Sequence, residues 1–214
     1  MMKNSFKSVI PETTLRRMVY YTRCLYNFKN EGIELIQSED IAKKCGVKSS
    51  IVRKDLSYFG EFGVRGKGYD VKSLLNTING IIKTFGQMNA VLVGAGKLGS
   101  AIIKHSSENF NVEIVAAFDK DKRKVNKIIE RTKIYPLSEM ERIVREKKVK
   151  IAIIAIPPSD VQNVVDILVK AGIKAILSLA LIPINVPDDV DVSFLDVLSE
   201  VEFLFYKLSL RRNR

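Results

Sequence analysis

Glycines set beside charged residues are the positions in this sequence best placed to do chemistry, and they fall in two clusters. The first is VLVGAGKLGSAI at 91–102. Its Gly94-x-Gly96-x-x-Gly99 spacing follows an apolar run and opens a helical one. Glycine at these positions permits a tight turn, a close approach of a pyrophosphate to backbone N–H groups, and close packing of helix on strand. Asp119 ends the next apolar run, VEIVAAFD, where an acid accepts hydrogen bonds from ribose hydroxyls. Such an acid repels a 2′-phosphate and so favours NAD(H) over NADP(H), although Lys120 and Lys122 stand close by with the opposite charge. Coenzyme A is held on a similar sheet and loop and competes as the ligand. A Rossmann-like fold that binds no dinucleotide is the bland alternative.

The second cluster, RKDLSYFGEFGVRGKGY at 53–69, mixes glycines with basic and aromatic residues. It follows a pattern of two short helices joined at Gly46, a helix-turn-helix. Lys48, Ser49, Ser50, Arg53 and Lys54 crowd the start and outer face of the second helix, where they can reach base edges and phosphates. Arg65 and Lys67 sit at the tip of a glycine-rich hairpin, the wing of a winged helix, and suit the negative potential of a narrow minor groove. The alternative is a solvated basic face with solubilising hairpin charges.

Other chemistry is sparse. Cys24 and Cys45 form no C-x-x-C, which argues against a disulfide framework or a zinc site. The single histidine, His105, excludes most histidine-based metal sites, and no metal is expected. It shares a helical face with Leu98, Ala101 and Ile102 and reads as a packed or cleft-edge residue rather than a general base. The formal net charge is +11, and residues 1–80 hold 14 Lys/Arg against 8 Asp/Glu, which favours an anionic partner. The start is polar and basic without a signal pattern, and no apolar run is long enough to span a bilayer, so the expected location is cytoplasmic with no membrane partner.

These residues need elements to hold them. Pro11 opens a first helix with Leu15, Met18, Val19, Thr22, Leu25 and Tyr26 on its buried face and Arg16, Tyr20, Arg23 and Asn27 opposite. Ser38 is placed to cap the second helix, and Ser49 or Ser50 the third. From Ala90, apolar strands alternate with helical patterns, which predicts an α/β fold with a doubly wound parallel sheet. The expected domains are 1–84 (winged helix with linker), 85–196 (Rossmann-like) and 197–214 (a C-terminal helix). The last, DVLSEVEFLFYKLSL, is apolar on more than one side, which predicts that it lies between two bodies. Asp196 stands where it can cap that helix.

Taken together, these stretches resemble the Rex family of redox-sensing transcriptional repressors. Arg53 to Tyr69 carries the family's signature, and the likeness runs through VGAGKLG, AAFDKD, LVKAGIKAIL and VPDDVDV to LDVLSEVE. The resemblance implies a homodimer with an exchanged C-terminal helix, bound to an AT-rich inverted repeat of double-stranded DNA. It also implies release of DNA when NADH binds, with NAD+ competing. Matching positions place DNA contacts at Lys48, Ser49, Ser50, Arg53, Lys54, Arg65 and Lys67. Dinucleotide contacts fall at Gly94, Ala95, Gly96, Lys97, Leu98, Gly99, Asp119, Lys120, Ile156 and Ser178. Arg23 and Asp196 match a pair that bridges the two domains across subunits, and His105 stands at the family's usual tyrosine. Ser178-Leu179-Ala180-Leu181 replaces the family's Asn-Phe-Ala-Pro on the nicotinamide side. A small NAD(P)- or CoA-dependent enzyme is the other class, opposed by the scarcity of acid–base or nucleophilic groups.

Overall fold

The computed structural model describes residues 10–60, 68–83, 88–109 and 112–212. The chain divides into two compact units, Met1–Gly86 and Gln87–Arg214.

The first unit is helical. Helix α1 (Glu12–Asn30) buries Thr14, Met18, Tyr21, Thr22, Leu25 and Phe28. This stripe differs from the expected one: Leu15 and Val19 are exposed, and Tyr21 and Phe28 are buried instead. Helix α2 (Ser38–Cys45) and helix α3 (Ser49–Ser57) form the helix-turn-helix, and α4 (Val71–Lys83) completes the core with Val71, Leu74, Leu75 and Ile78. The caps lie one residue earlier than the serines suggested. Gln37 makes the capping box of α2 with Asp40, whose Oδ2 accepts the Gln37 backbone N–H at 2.7 Å, and Lys48 occupies the cap position of α3. Gly46 ends α2 at φ 66°, a left-handed conformation that glycine adopts without a Cβ penalty. Strand β1 (Leu35–Ile36), before α2, pairs antiparallel with β2 (Tyr69–Asp70), directly before α4. The wing itself, with Arg65 and Lys67, lies outside the described residues.

The second unit is a seven-stranded sheet. Its strands are β3 (Met88–Val93), β4 (Val112–Asp119), β5 (Ile128–Ile129), β6 (Thr132–Pro136), β7 (Ile151–Ile154), β8 (Ala175–Ser178) and β9 (Asp191–Phe194), in the order β5-β6-β4-β3-β7-β8-β9. All pairs are parallel except β5–β6. Helix α5 (Lys97–Asn109) connects β3 to β4, α6 (Met140–Glu146) precedes β7, and α7 (Val161–Ala171) connects β7 to β8. The central strands β3 and β4 are buried on both faces along their carboxyl halves. Val91 and Val93 join a cluster with α6 and α7, while Ala90 and Leu92 join another with Ile103 of α5. Strand β4 serves both clusters with a shift of register. Ala90 pairs with Ile114 but Val91 with Ala116, so Val115 is a bulge that changes which side chains face which layer.

The C-terminal helix α8 (Val197–Arg212) packs little of its surface. Val197, Leu198, Val201, Phe203, Leu204, Phe205, Tyr206, Leu208 and Leu210 are all exposed.

Candidate functional site

The basic surface of the first unit follows from helical spacing. On α3, Val52, Asp55 and Leu56 face the core, which leaves Ser50, Arg53 and Lys54 on the outer face; Lys48 is exposed at its start and Ser49 half-buried. Arg53 donates to Ser38 Oγ at 2.8 Å and pairs with Glu39 at 3.2 Å, both on α2. An exposed pair of this kind is worth about 0–1 kcal/mol, so it is easily exchanged for a phosphate.

Asp55 is a site residue that the sequence reading passed over. Its carboxylate is buried, and it accepts hydrogen bonds from Arg17 at 2.6 and 2.8 Å, Tyr21 Oη at 2.8 Å and Thr14 Oγ1 at 2.9 Å. Burial pushes the acid up, but the bonds from Arg17, Tyr21 and Thr14 outweigh it and hold the carboxyl below the usual range. Burial and the contact with Asp55 in turn push Tyr21 up. The network fixes α3 on α1. The available signal was an acid at a core-facing helical position, with Arg17 and Thr14 on another helix.

In the second unit a cleft of about 470 Å3 lies at the carboxyl ends of β3, β4 and β7. This is where the strand order reverses direction, the place at which open α/β sheets hold ligands. Gly94, Gly96, Asp119, Lys120 and Ile156 line it. The three glycines differ in what they face. A Cβ on Gly94 would lie 2.3 Å from the Ala155 carbonyl oxygen, and one on Gly99 would lie 1.9 Å from that of Gly94. Gly96 has nothing within 4 Å, so its side of the turn is open to a ligand.

Asp119 is nearly buried, and much of it is already engaged. Its Oδ2 accepts the Ala95 N–H at 2.9 Å and pairs with Lys124 at 3.0 Å, while Oδ1 accepts the Asp121 N–H at 2.8 Å. The acid therefore shapes the glycine turn, with acceptor capacity left on Oδ1 for a hydroxyl. Lys124, not singled out in the sequence, lines the cleft. Lys120 pairs with Asp160 at 2.7 Å at the cleft, which raises the lysine and lowers the acid.

The remaining expected contacts are not on the cleft lining. Ala95 and Gly99 are buried behind the turn, and Lys97 and Leu98 are exposed on α5. Ser178 is fully buried; its Oγ donates to the Ala180 carbonyl at 2.9 Å and accepts the Ala180 N–H at 3.2 Å. The hydroxyl is thus occupied by its own turn. His105 lines a different, apolar cavity of about 450 Å3 with Ala101, Ile102, Val112, Ile114 and Ile153. Asp196 accepts the Leu198 N–H at 3.1 Å and the Ser199 hydroxyl at 2.7 Å, which caps α8 and holds its carboxyl low. Arg23 is exposed on α1.

Among the described residues, no group of three or more His, Cys, Asp or Glu could hold a metal ion. Among them, too, no helix is long and apolar enough to cross a membrane.

A basic helix-turn-helix unit followed by a Rossmann-like unit with an open glycine turn defines a ligand-responsive DNA-binding regulator. Comparison with known proteins narrows the class. Residues 9–57 match a family model described as "Putative DNA-binding protein N-terminus", and residues 85–182 match one described as "CoA binding domain". The redox-sensing transcriptional repressor Rex of Desulforamulus reducens is 43% identical over 203 residues, 94% of this chain and 97% of that one. Two crystal structures are similar over nearly the whole chain. RSP in complex with β-NAD+ and operator DNA is 30% identical with a TM-score of 0.86, over 96% of this chain and 95% of that chain. RSP in complex with β-NADH is 29% identical with a TM-score of 0.81, over 96% and 97%. The chain belongs to the Rex family of redox-sensing transcriptional repressors.

Proposed function

We propose that this chain represses transcription as a cytoplasmic homodimer that binds an AT-rich inverted repeat and releases it when NADH binds, NAD+ competing for the same cleft. The observation that carries the reading is the similarity to RSP along the chain, since that protein was crystallised with operator DNA and NAD+, and with NADH. The residues present fit a dinucleotide: the Gly96 side of the turn is open, and Asp119 keeps acceptor capacity beside it. Within this reading, residues 1–84 bind DNA, 85–196 hold the dinucleotide, and 197–214 form the exchanged helix. The proposed DNA contacts are Lys48, Ser49, Ser50, Arg53, Lys54, Arg65 and Lys67. Gly94, Gly96, Asp119, Lys120 and Ile156 are the proposed ligand contacts, with Ala95 in the turn and Lys97, Leu98 and Gly99 in the first turn of α5. Arg23, His105 and Asp196 are the proposed switch residues. The activity is binding rather than catalysis. A gel shift on an AT-rich palindrome, titrated separately with NADH and NAD+, tests the whole reading. NADH should release the DNA and NAD+ should oppose that release; DNA binding indifferent to both would overturn the sensing half.

A second reading rests on Ser178. With its hydroxyl closed onto Ala180 and leucine following, the nicotinamide side lacks the amide and flat ring that the family pattern offers. We infer a sensor that binds the adenosine half and discriminates NADH from NAD+ less sharply. The match to a CoA-binding model keeps coenzyme A as a ligand for the same titration.

A further inference from the structure

Cys24 and Cys45 are the two cysteines of this chain, 21 positions apart. Folding brings their Sγ atoms to 2.8 Å. Cys24 lies on α1, and Cys45 is the last residue of α2, directly before the Gly46 turn into α3. Both are half-buried and packed against the helical core. Neither lines the dinucleotide cleft.

We propose that Cys24 and Cys45 form an oxidation site, which a hydroperoxide converts to an intrachain disulfide tying α1 to the end of α2. The geometry asks for little movement. A disulfide needs an S–S length of about 2.05 Å, so the sulfurs must close by less than about 1 Å. Both side chains are partly open to a small peroxide. The roles of the two sulfurs differ. Burial and the contact with Cys24 push the Cys45 thiol up, which makes it the weaker source of thiolate and assigns it the resolving role.

The step balances. The Cys24 thiolate attacks the terminal oxygen of the hydroperoxide, the O–O bond breaks, and the departing alkoxide takes up the proton lost from the thiol. Cys24 is then a sulfenic acid. The Cys45 sulfur attacks the Cys24 sulfur, the S–S bond forms and the S–O bond breaks. Hydroxide leaves with the Cys45 proton as water. In total two thiols lose two electrons, and the hydroperoxide gains them to give an alcohol and water. A small dithiol reverses the change by exchange. The site gives the DNA-reading unit a redox input separate from the nucleotide cleft.

The test needs neither DNA nor dinucleotide, so its failure is distinct from failure of the proposed function. The full chain is treated with equimolar hydrogen peroxide, folded and in urea, then alkylated and analysed by mass spectrometry. The expected result is an intrachain Cys24–Cys45 peptide pair lacking two hydrogens, formed faster in the folded protein and reversed by dithiothreitol. Cys45→Ser should leave Cys24 as a sulfenic acid trappable by dimedone, and Cys24→Ser should leave Cys45 alkylatable. The idea is overturned if both wild-type thiols stay alkylatable, if cross-links form only between chains, or if urea does not slow the reaction.

Discussion

Gly96 stands in the turn and Gly99 in the first turn of α5, and substitutions should separate their roles. A Cβ on Gly99 collides with backbone, which cannot give way, whereas Gly96 faces open space. Gly99→Ala should therefore lower unfolding stability by about 3 kcal/mol, and Gly96→Ala should change it by less than about 1 kcal/mol, both read by urea denaturation. Gly96→Val should retain DNA binding yet lose release by NADH, because its side chain fills the pyrophosphate approach. Release at an unchanged NADH concentration would place the sensor elsewhere. Asp55 makes a pH prediction. Its folded-state carboxyl is held low, so its contribution is present above the unfolded value of about 3.9 and is lost as the pH falls through the folded one. Arg17→Ala leaves that acid buried without its cation and should cost about 3–5 kcal/mol near neutrality. The gap from wild type should shrink below about pH 4. A gap independent of pH would mean that the ion pair is not its source. At the nicotinamide side, Ser178→Asn with Leu179→Phe should sharpen the preference between NADH and NAD+ in calorimetry. Strong wild-type preference, unmoved by the change, would free these positions of that role.

Helix α3 must present its basic side chains and stay seated on α1, and its two faces do these separately. The outer face holds Ser50, Arg53 and Lys54, while the inner face anchors through Asp55. Arg53→Ala should weaken operator binding by about 1–3 kcal/mol if the guanidinium reads a base edge. Lys54→Ala should weaken binding nearly uniformly across sequences and reduce the salt slope by about 1, the mark of a phosphate contact. Neither should alter folding much, since both side chains are exposed. Operator affinity unchanged in both variants would remove this face from the interface.

For the molecule as a whole, α8 is the element that a single chain does not explain. A helix with apolar residues on every side, exposed along its length, is stable only when another surface covers it. Deleting residues 197–214 should give monomers or aggregates by light scattering. A stable, soluble dimer after the deletion would show that α8 does not hold the chains together. The switch also has an energetic scale. A ligand moves a two-state population from 1:99 to 99:1 only with a difference in affinity of about 5.5 kcal/mol between the states. Ligand affinities for the DNA-bound and free protein should differ accordingly where release is complete.

Local pattern was enough to read the helix-turn-helix, the alternation of buried strands and helices, the glycine turn and the exposed basic positions of α3. Each of these depends on residue type and spacing along a few turns or one strand, and the signature from Arg53 to Tyr69 lies within one short stretch. Tertiary structure alone decided the rest. Periodicity selects a helical face only to within a residue or so, and packing in the helical unit chose Tyr21 and Phe28 over Leu15 and Val19. The bulge at Val115 changes which β4 side chains face each layer of helices, and only the pairing with β3 shows it. Ser178 turned onto Ala180 because a buried hydroxyl needs a partner and its own turn supplied one. Asp55 met Arg17 across 38 positions, and Cys24 met Cys45 across 21, because separate helices were packed together. Sequence spacing carries no information about such meetings: the distance between two side chains on different helices is set by how those helices pack.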